Sequence, residues 1–223
     1  MCIRDRAKKA ADLLSRFGVE VLLPRGQTCC GMPLMGGGDM EGARRLARKN
    51  LRALLGADVD YVVVLCATCG SALRELYPEF LLEESSELSS KTKDISEFIA
   101  DILKPDSLKT SLPPGTKLTY HDPCHLAHHL GIVRQPREIL RGLKGVEFIE
   151  MEEADSCCGM GGVFSFEHPD ISREIAEQKI RRIESSRAQV VVTACPGCMI
   201  QLMDQIRRRE MSQVVLHLVE VLQ

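Results

Sequence analysis

The chain has 223 residues, 44% of them hydrophobic, enough to bury a core in one large domain or two small ones. Lys plus Arg number 29 against 31 Asp plus Glu, aromatics are 4% and Trp is absent, so a basic, stacking nucleic-acid surface is excluded. No apolar run approaches the roughly 18 residues of a membrane span, and the N-terminus MCIRDRAKKA lacks the apolar stretch of a signal peptide, so the chain reads as cytoplasmic. In that compartment ten cysteines are poor disulfide candidates and better candidates for metal or redox chemistry.

Residues 1–6 have a reading of their own. MCIRD is what the transposon end ATGTGTATAAGAGACAG encodes from its ATG, and its last two bases can begin the Arg6 codon. This stretch is therefore expected to be adapter-derived, with Cys2 incidental and a natural N-terminus lying upstream.

Next comes a short β-rich run, VEVLL from Val19, ending in TCCGM (Thr28 to Met32). A helix is expected from Asp39 as N-cap, with Ala43, Leu46, Ala47, Leu51, Leu54 and Leu55 on one face. Val62 to Leu65 is a continuous β-branched run, expected as a strand covered on both faces, and leads into Cys66 and Cys69 of a CxxC. The Ser-rich EESSELSSKTKD and the break SLPPGTK flank a short amphipathic helix, ISEFIADIL (Ile95 to Leu103). Residues 83–114 are read as a linker between a first unit, 7–82, and a second, 115–223.

The second unit repeats the first. LTYHDPCH reads as a strand running into a turn at Cys124, and SCCGM (Ser156 to Met160) returns the earlier motif. A helix near Asp170 is expected to turn Ile171, Ile175, Ile180 and Ile183 inward. Val190 to Val192 then leads into Cys195 and Cys198, and VVLHLVEVLQ supplies a closing strand and a helix stub. Cys29 and Cys157 lie 128 residues apart, Cys66 and Cys195 lie 129 apart, so the chain is a duplicated α/β unit with parallel strands.

Cys124, Cys157, Cys158, Cys195 and Cys198 each follow an expected strand, which gathers them at the carboxyl edge of the sheet. Gly159, Gly161, Gly162 and Gly197 let backbone come close to a bulky group there. The first unit offers Cys29, Cys30, Cys66 and Cys69. The second unit's spacing puts a fifth cysteine just before residue 1, so the first site is expected to hold a metal group less well.

Three chemistries compete. Structural zinc favours two CxxC knuckles at short spacing, thiol exchange needs one CxxC, and an iron–sulfur cluster accepts thiolates from dispersed loops. The cluster accounts for most of the cysteines.

CCG followed by CxxC, twice, with a leading cysteine in HDPCH, resembles the cysteine-rich (CCG) domain shared by the B subunit of heterodisulfide reductase, the glycolate oxidase iron–sulfur subunit and lactate utilisation protein A. The resemblance implies a pseudo-twofold α/β protein holding 4Fe-4S-type clusters, cubane or noncubane, in loops at the strand carboxyl ends. It implies as ligands Cys124, Cys157, Cys158, Cys195 and Cys198, and four of five in Cys29, Cys30, Cys66 and Cys69. GVEVLLPRGQTCCG and CCGMGGVFSFEHPD are closer to the glycolate and lactate branch, implying an electron-transfer subunit that works with a flavoprotein dehydrogenase and other iron–sulfur subunits. Membrane association would come only through a partner. Some members of that branch lack one CxxC cysteine, whereas this chain keeps both in both units, which leaves heterodisulfide reductase-type catalysis open.

Other features are discounted. Gly36 to Gly38 lacks the Lys and Ser/Thr of a phosphate loop, and no dinucleotide fingerprint is present. Asp122 is expected to cap a helix starting at Pro123, with His125, His128 and His129 on its first turns. His121 and His125 retain the option of ligation or proton transfer. His168 is read as a helix-entry residue, and Arg44, Arg45, Arg48 and Arg207 to Arg209 as solvated faces.

Overall fold

The computed structural model describes residues 3–56 and 58–223. Met1, Cys2 and Ala57 lie outside them, and so does the reading of Cys2. All strand pairings within its two sheets are parallel. β1 (Val62–Val64) pairs with β2 (Thr92–Asp94), and a four-stranded sheet runs β4 (Glu147–Phe148), β3 (Lys117–Tyr120), β5 (Val190–Thr193), β6 (Val214–His217). The central strand β5 is buried along its whole length, as its unbroken Val run requires.

Helices connect and cover these strands. α1 (Ile3–Arg16) and α2 (Met32–Gly36) precede α3 (Met40–Leu55), which begins where expected: the Asp39 carboxylate accepts from Gly42 N at 2.8 Å. α4 (Ala67–Ser71) follows β1, and α5 (Tyr77–Leu81) and α6 (Ser86–Lys91) lead to β2. α7 (Ile95–Glu97) continues as a wide turn over Phe98–Leu103. In the second half come α8 (Arg134–Gly142), α9 (Phe164–Glu167), α10 (Pro169–Ser186), α11 (Pro196–Arg208) and α12 (Leu218–Val221).

One apolar cluster is common to both halves. It joins Leu13 and Leu14 of α1 and Ile95 and Ile99 to Leu118, Leu140 and Leu218. Arg6, almost fully buried, donates to Glu220 at 2.9 Å, so a residue from the stretch expected to be adapter-derived is tied to the last helix.

Four expectations differ from the structure. Residues 19–23 form no strand: Val19 and Val21 pack against the core while Leu22 and Leu23 remain exposed, with no ladder partner alongside. Residues 83–114, expected as a linker, carry β2 and the fully buried Leu88. Their serines bond nearby carbonyls (Ser85 to Leu82, Ser89 to Arg74), so polar composition there records local turns and not solvation. Ile171 is exposed, and α10 buries Ser172, Ala176, Lys179, Ile180 and Ile183 instead. Asp122 caps no helix; Arg137 holds both its oxygens, at 2.9 and 2.6 Å, and the following turn spans His125–His129.

Candidate metal centre

The two Cys-Cys-Gly turns are built alike. Gly31 (φ +91°) and Gly159 (φ +87°) both adopt the left-handed conformation, and each lies against the start of the long helix that follows. A Cβ on Gly159 would stand 2.3 Å from Ser172 O, so only glycine fits. On Gly31 it would meet Ala43 at 3.4 Å. The first cysteine of each pair, Cys29 or Cys157, is exposed and the second, Cys30 or Cys158, buried.

Buried polar side chains hold these turns. Asn50 accepts from Thr28 N at 2.6 Å and donates to Cys29 O at 3.0 Å and to Tyr77 Oη at 3.1 Å, while Tyr77 donates to Cys30 O at 2.9 Å. In the second unit Lys179 Nζ donates to Glu153 O (2.8 Å) and Ala154 O (3.1 Å), and Ser172 donates to Gly159 O (2.7 Å) with Gln201 behind it. Burial lowers the Lys179 pKa to about 8. Asn50 and Lys179 are 129 residues apart, the same interval as Cys66 and Cys195. These residues were missed in the sequence because a lone Asn or Lys on a helix carries no motif; the repeat interval was the available signal.

The CxxC segments converge from the two units. Cys66 and Cys195 open α4 and α11 with nearly the same backbone (φ −142°, ψ 115° and φ −134°, ψ 116°), and Ala67 N donates to Ala194 O at 3.2 Å. The thiols lie close enough to shift one another's ionisation. Cys69 bonds Cys30, lowering the Cys30 pKa to about 6 while its own rises. Hydrogen bonding with Cys195 pushes Cys66 up to about 12. Cys195 is lowered, first by Cys198 and then by Cys66; Cys158 is lowered by Cys157 and Cys198, which are raised in turn. Cys30, Cys69, Cys66, Cys195, Cys198, Cys158 and Cys157 thus form one succession of neighbouring thiols whose ionisations are coupled across the two units. Cys29 lies beside Cys30, and exposed Cys124 lies near Cys158 on the rim, its thiol raised first by partial burial.

The histidines divide. His125 Nδ1 lies 3.1 Å from Thr68 Oγ1 and His129 Nδ1 3.0 Å from Ser71 Oγ, so both engage the CxxC helix of the other unit. Thr68 also reaches Cys195 Sγ at 3.7 Å. Burial lowers the His125 pKa. His128 is exposed, and His168 precedes α10 without a side-chain cap. His121 is buried with Cys158 and Cys198, one donor atom of each lying within 4.8 Å of the others.

The cysteine-rich domain family, CCG, matches residues 3–74 and 118–203, two segments that contain all nine of these cysteines. Lactate utilization protein A of Geobacillus thermodenitrificans is 34% identical over 221 residues, covering 96% of this chain and 90% of that protein. The B subunit of the fumarate reductase (CoM/CoB) of Methanothermobacter marburgensis is 36% identical over 211 residues, covering 94% of this chain. An iron–sulfur protein of Methanocaldococcus jannaschii is 37% identical over 206 residues, covering 92%. This chain spans only 41% and 39% of those last two proteins. With a doubled CCG and CxxC framework matched over both segments, the chain belongs to the CCG cysteine-rich domain family.

Proposed function

We propose that this chain is an iron–sulfur electron-transfer subunit of a 2-hydroxy-acid oxidoreductase complex, taking electrons from a flavoprotein subunit that oxidises glycolate or lactate. The observation that carries this reading is the convergence of the two CxxC segments, where Ala67 N donates to Ala194 O at 3.2 Å, which makes neighbours of Cys66 in one unit and Cys195 in the other.

The donor set fits iron–sulfur ligation. Cysteines from separate loops supply thiolates, and Leu126, Leu130, Met199 and Leu202 surround the second group with apolar side chains. Cys124, Cys157, Cys158, Cys195 and Cys198 would hold one cluster and Cys29, Cys30, Cys66 and Cys69 a second. When bound, clusters supply one-electron transfer at a potential set by burial and by hydrogen bonds to sulfur. This chain's own residues bury Cys30, Cys158, Cys195 and Cys198, hold the backbone of the two Cys-Cys turns through Asn50, Tyr77 and Lys179, and place Thr68 beside Cys195. Hydroxy-acid oxidation itself is assigned to a partner, because the sequence carries no dinucleotide fingerprint. Among the described residues no helix is long and apolar enough to cross a membrane.

A second reading is heterodisulfide reductase-type catalysis at the second group. It is favoured by the exposed thiols of Cys124 and Cys157 on its rim, where a substrate sulfur could approach. Anaerobic purification followed by iron, sulfide and zinc analysis tests both. Iron with matching sulfide is the expected result, and zinc without iron overturns both. A paramagnetic signal that appears only on oxidation with a thiol present would favour disulfide cleavage over simple electron transfer.

A further inference from the structure

We propose that His121, Cys158 and Cys198 form a mixed nitrogen–sulfur metal site that takes a single borderline divalent ion such as Zn2+ when no cluster is present. The site goes beyond the iron–sulfur reading and does not rest on it.

Three observations converge on this site. His121 is only 1% exposed, and neither ring nitrogen reaches hydrogen-bond geometry with a protein group, its polar neighbour being the Cys158 thiol. A neutral imidazole carries one N–H and one lone pair, and leaving both unmatched in the interior costs free energy. The Cys158 sulfur can engage at most one of the two nitrogens, so the ring keeps binding capacity that no protein group meets. One ring nitrogen and the Sγ atoms of Cys158 and Cys198 lie within 4.8 Å of one another, and all three residues are buried.

Scale decides between direct bonding and a bridging ion. In a tetrahedral zinc site the nitrogen–sulfur and sulfur–sulfur edges are about 3.6–3.8 Å, so a closure of at most about 1.2 Å brings these atoms into ligand positions. The ring is set for that closure by the sheet: His121 N donates to Val192 O at 2.9 Å, extending the β3–β5 pairing to the edge of the site. Cys198 sits on the first turn of α11, and Cys158 is anchored by the turn at Gly159. Binding would release to solvent whatever protons Cys158 and Cys198 still carry, with the imidazole donating its lone pair in the neutral form.

The test uses the whole chain freed of iron, with histidine ring nitrogens labelled with 15N, titrated to saturation with Zn2+ alone. One histidine ring should show the nitrogen shift of metal coordination, and that signal should vanish in His121→Gln. One zinc-binding phase in that variant should weaken by more than the roughly 10- to 100-fold that loss of an outer partner costs. Thiol-only ligation, seen as saturation with no histidine nitrogen shifted, overturns the proposal, as does a shift that survives in His121→Gln. The nitrogen readout on the unsubstituted chain stands even where the variant folds poorly. Because zinc binding to the iron-free chain is read directly, it can fail while iron loading succeeds, or succeed while iron loading fails.

Discussion

Cys66 of the first unit and Cys195 of the second are neighbours across the two halves, brought together where Ala67 N donates to Ala194 O at 3.2 Å, and each shifts the other's ionisation, one thiol raised and the other lowered. The two cysteine groups are neighbours and not separate centres on one chain.

Cys66→Ser should therefore act on both groups. It should roughly halve the iron bound per chain, since each cluster depends on its thiolates, and also shift the reduction potential of the remaining centre. Cys29→Ser, on the exposed side of the first group, should leave that potential unchanged. Anaerobic iron analysis with potentiometric EPR checks both, and equal potentials in the two variants would count against coupling across the units.

Two buried groups give the fold opposing pH dependences. His217 Nε2 donates to Leu65 O at 2.8 Å and its Nδ1 accepts from Val219 N, so the ring is held neutral; burial lowers its pKa to about 4. Between that value and the unfolded 6.5 the unfolded chain binds the extra proton, so stability falls as pH drops, by about 2 kcal/mol at pH 5. His217→Asn should remove this dependence, measured as the change in urea midpoint between pH 7 and pH 5.

Asp94 has the opposite sign. Burial raises its pKa to about 6, so the folded chain binds the extra proton, and this contribution is full below the unfolded value near 3.8 and lost as pH rises through 6. Asp94→Asn should keep the bond from Ser96 N, at 2.8 Å in the parent, while making the protein relatively more stable at pH 7 than at pH 5. The same urea series, run on this variant, reads the sign directly.

The two turn glycines should differ in tolerance. Gly31→Ala meets only the left-handed backbone cost of about 1–2 kcal/mol. Gly159→Ala adds a 2.3 Å clash with Ser172 O and should cost clearly more, or abolish folding. Thermal melts of both variants test the order, and equal losses would contradict the packing described for Gly159.

Asn50→Ala leaves Thr28 N, Cys29 O and Tyr77 Oη without their shared partner, and should destabilise by about 3 kcal/mol. Chemical denaturation gives the value. The loosened region should be the first Cys-Cys turn, seen as faster alkylation of Cys30.

Much of this fold was legible because duplication doubles each weak signal. The Val62 and Val190 runs, the Asp39 cap and the closing strand at Val214 all lie where pattern and spacing put them. Two features were hidden by composition. The Ser-rich stretch around Leu88 reads as solvated, although its hydroxyls bond backbone, and Asp122 before Pro123 reads as a cap, although Arg137, 15 residues away, claims it. The link between Cys66 and Cys195 was invisible for a different reason: a repeat shows what two halves share, not how they face each other.

Thr68 and Ser71, on the CxxC helix of the first unit, bond His125 and His129 of the second, while Arg6 near one end of the chain holds Glu220 near the other. The halves are interlocked like clasped hands. A break in the peptide between residues 83 and 114 would free no independent module, and two separately expressed pieces would have to find each other again before either cysteine group took its full shape.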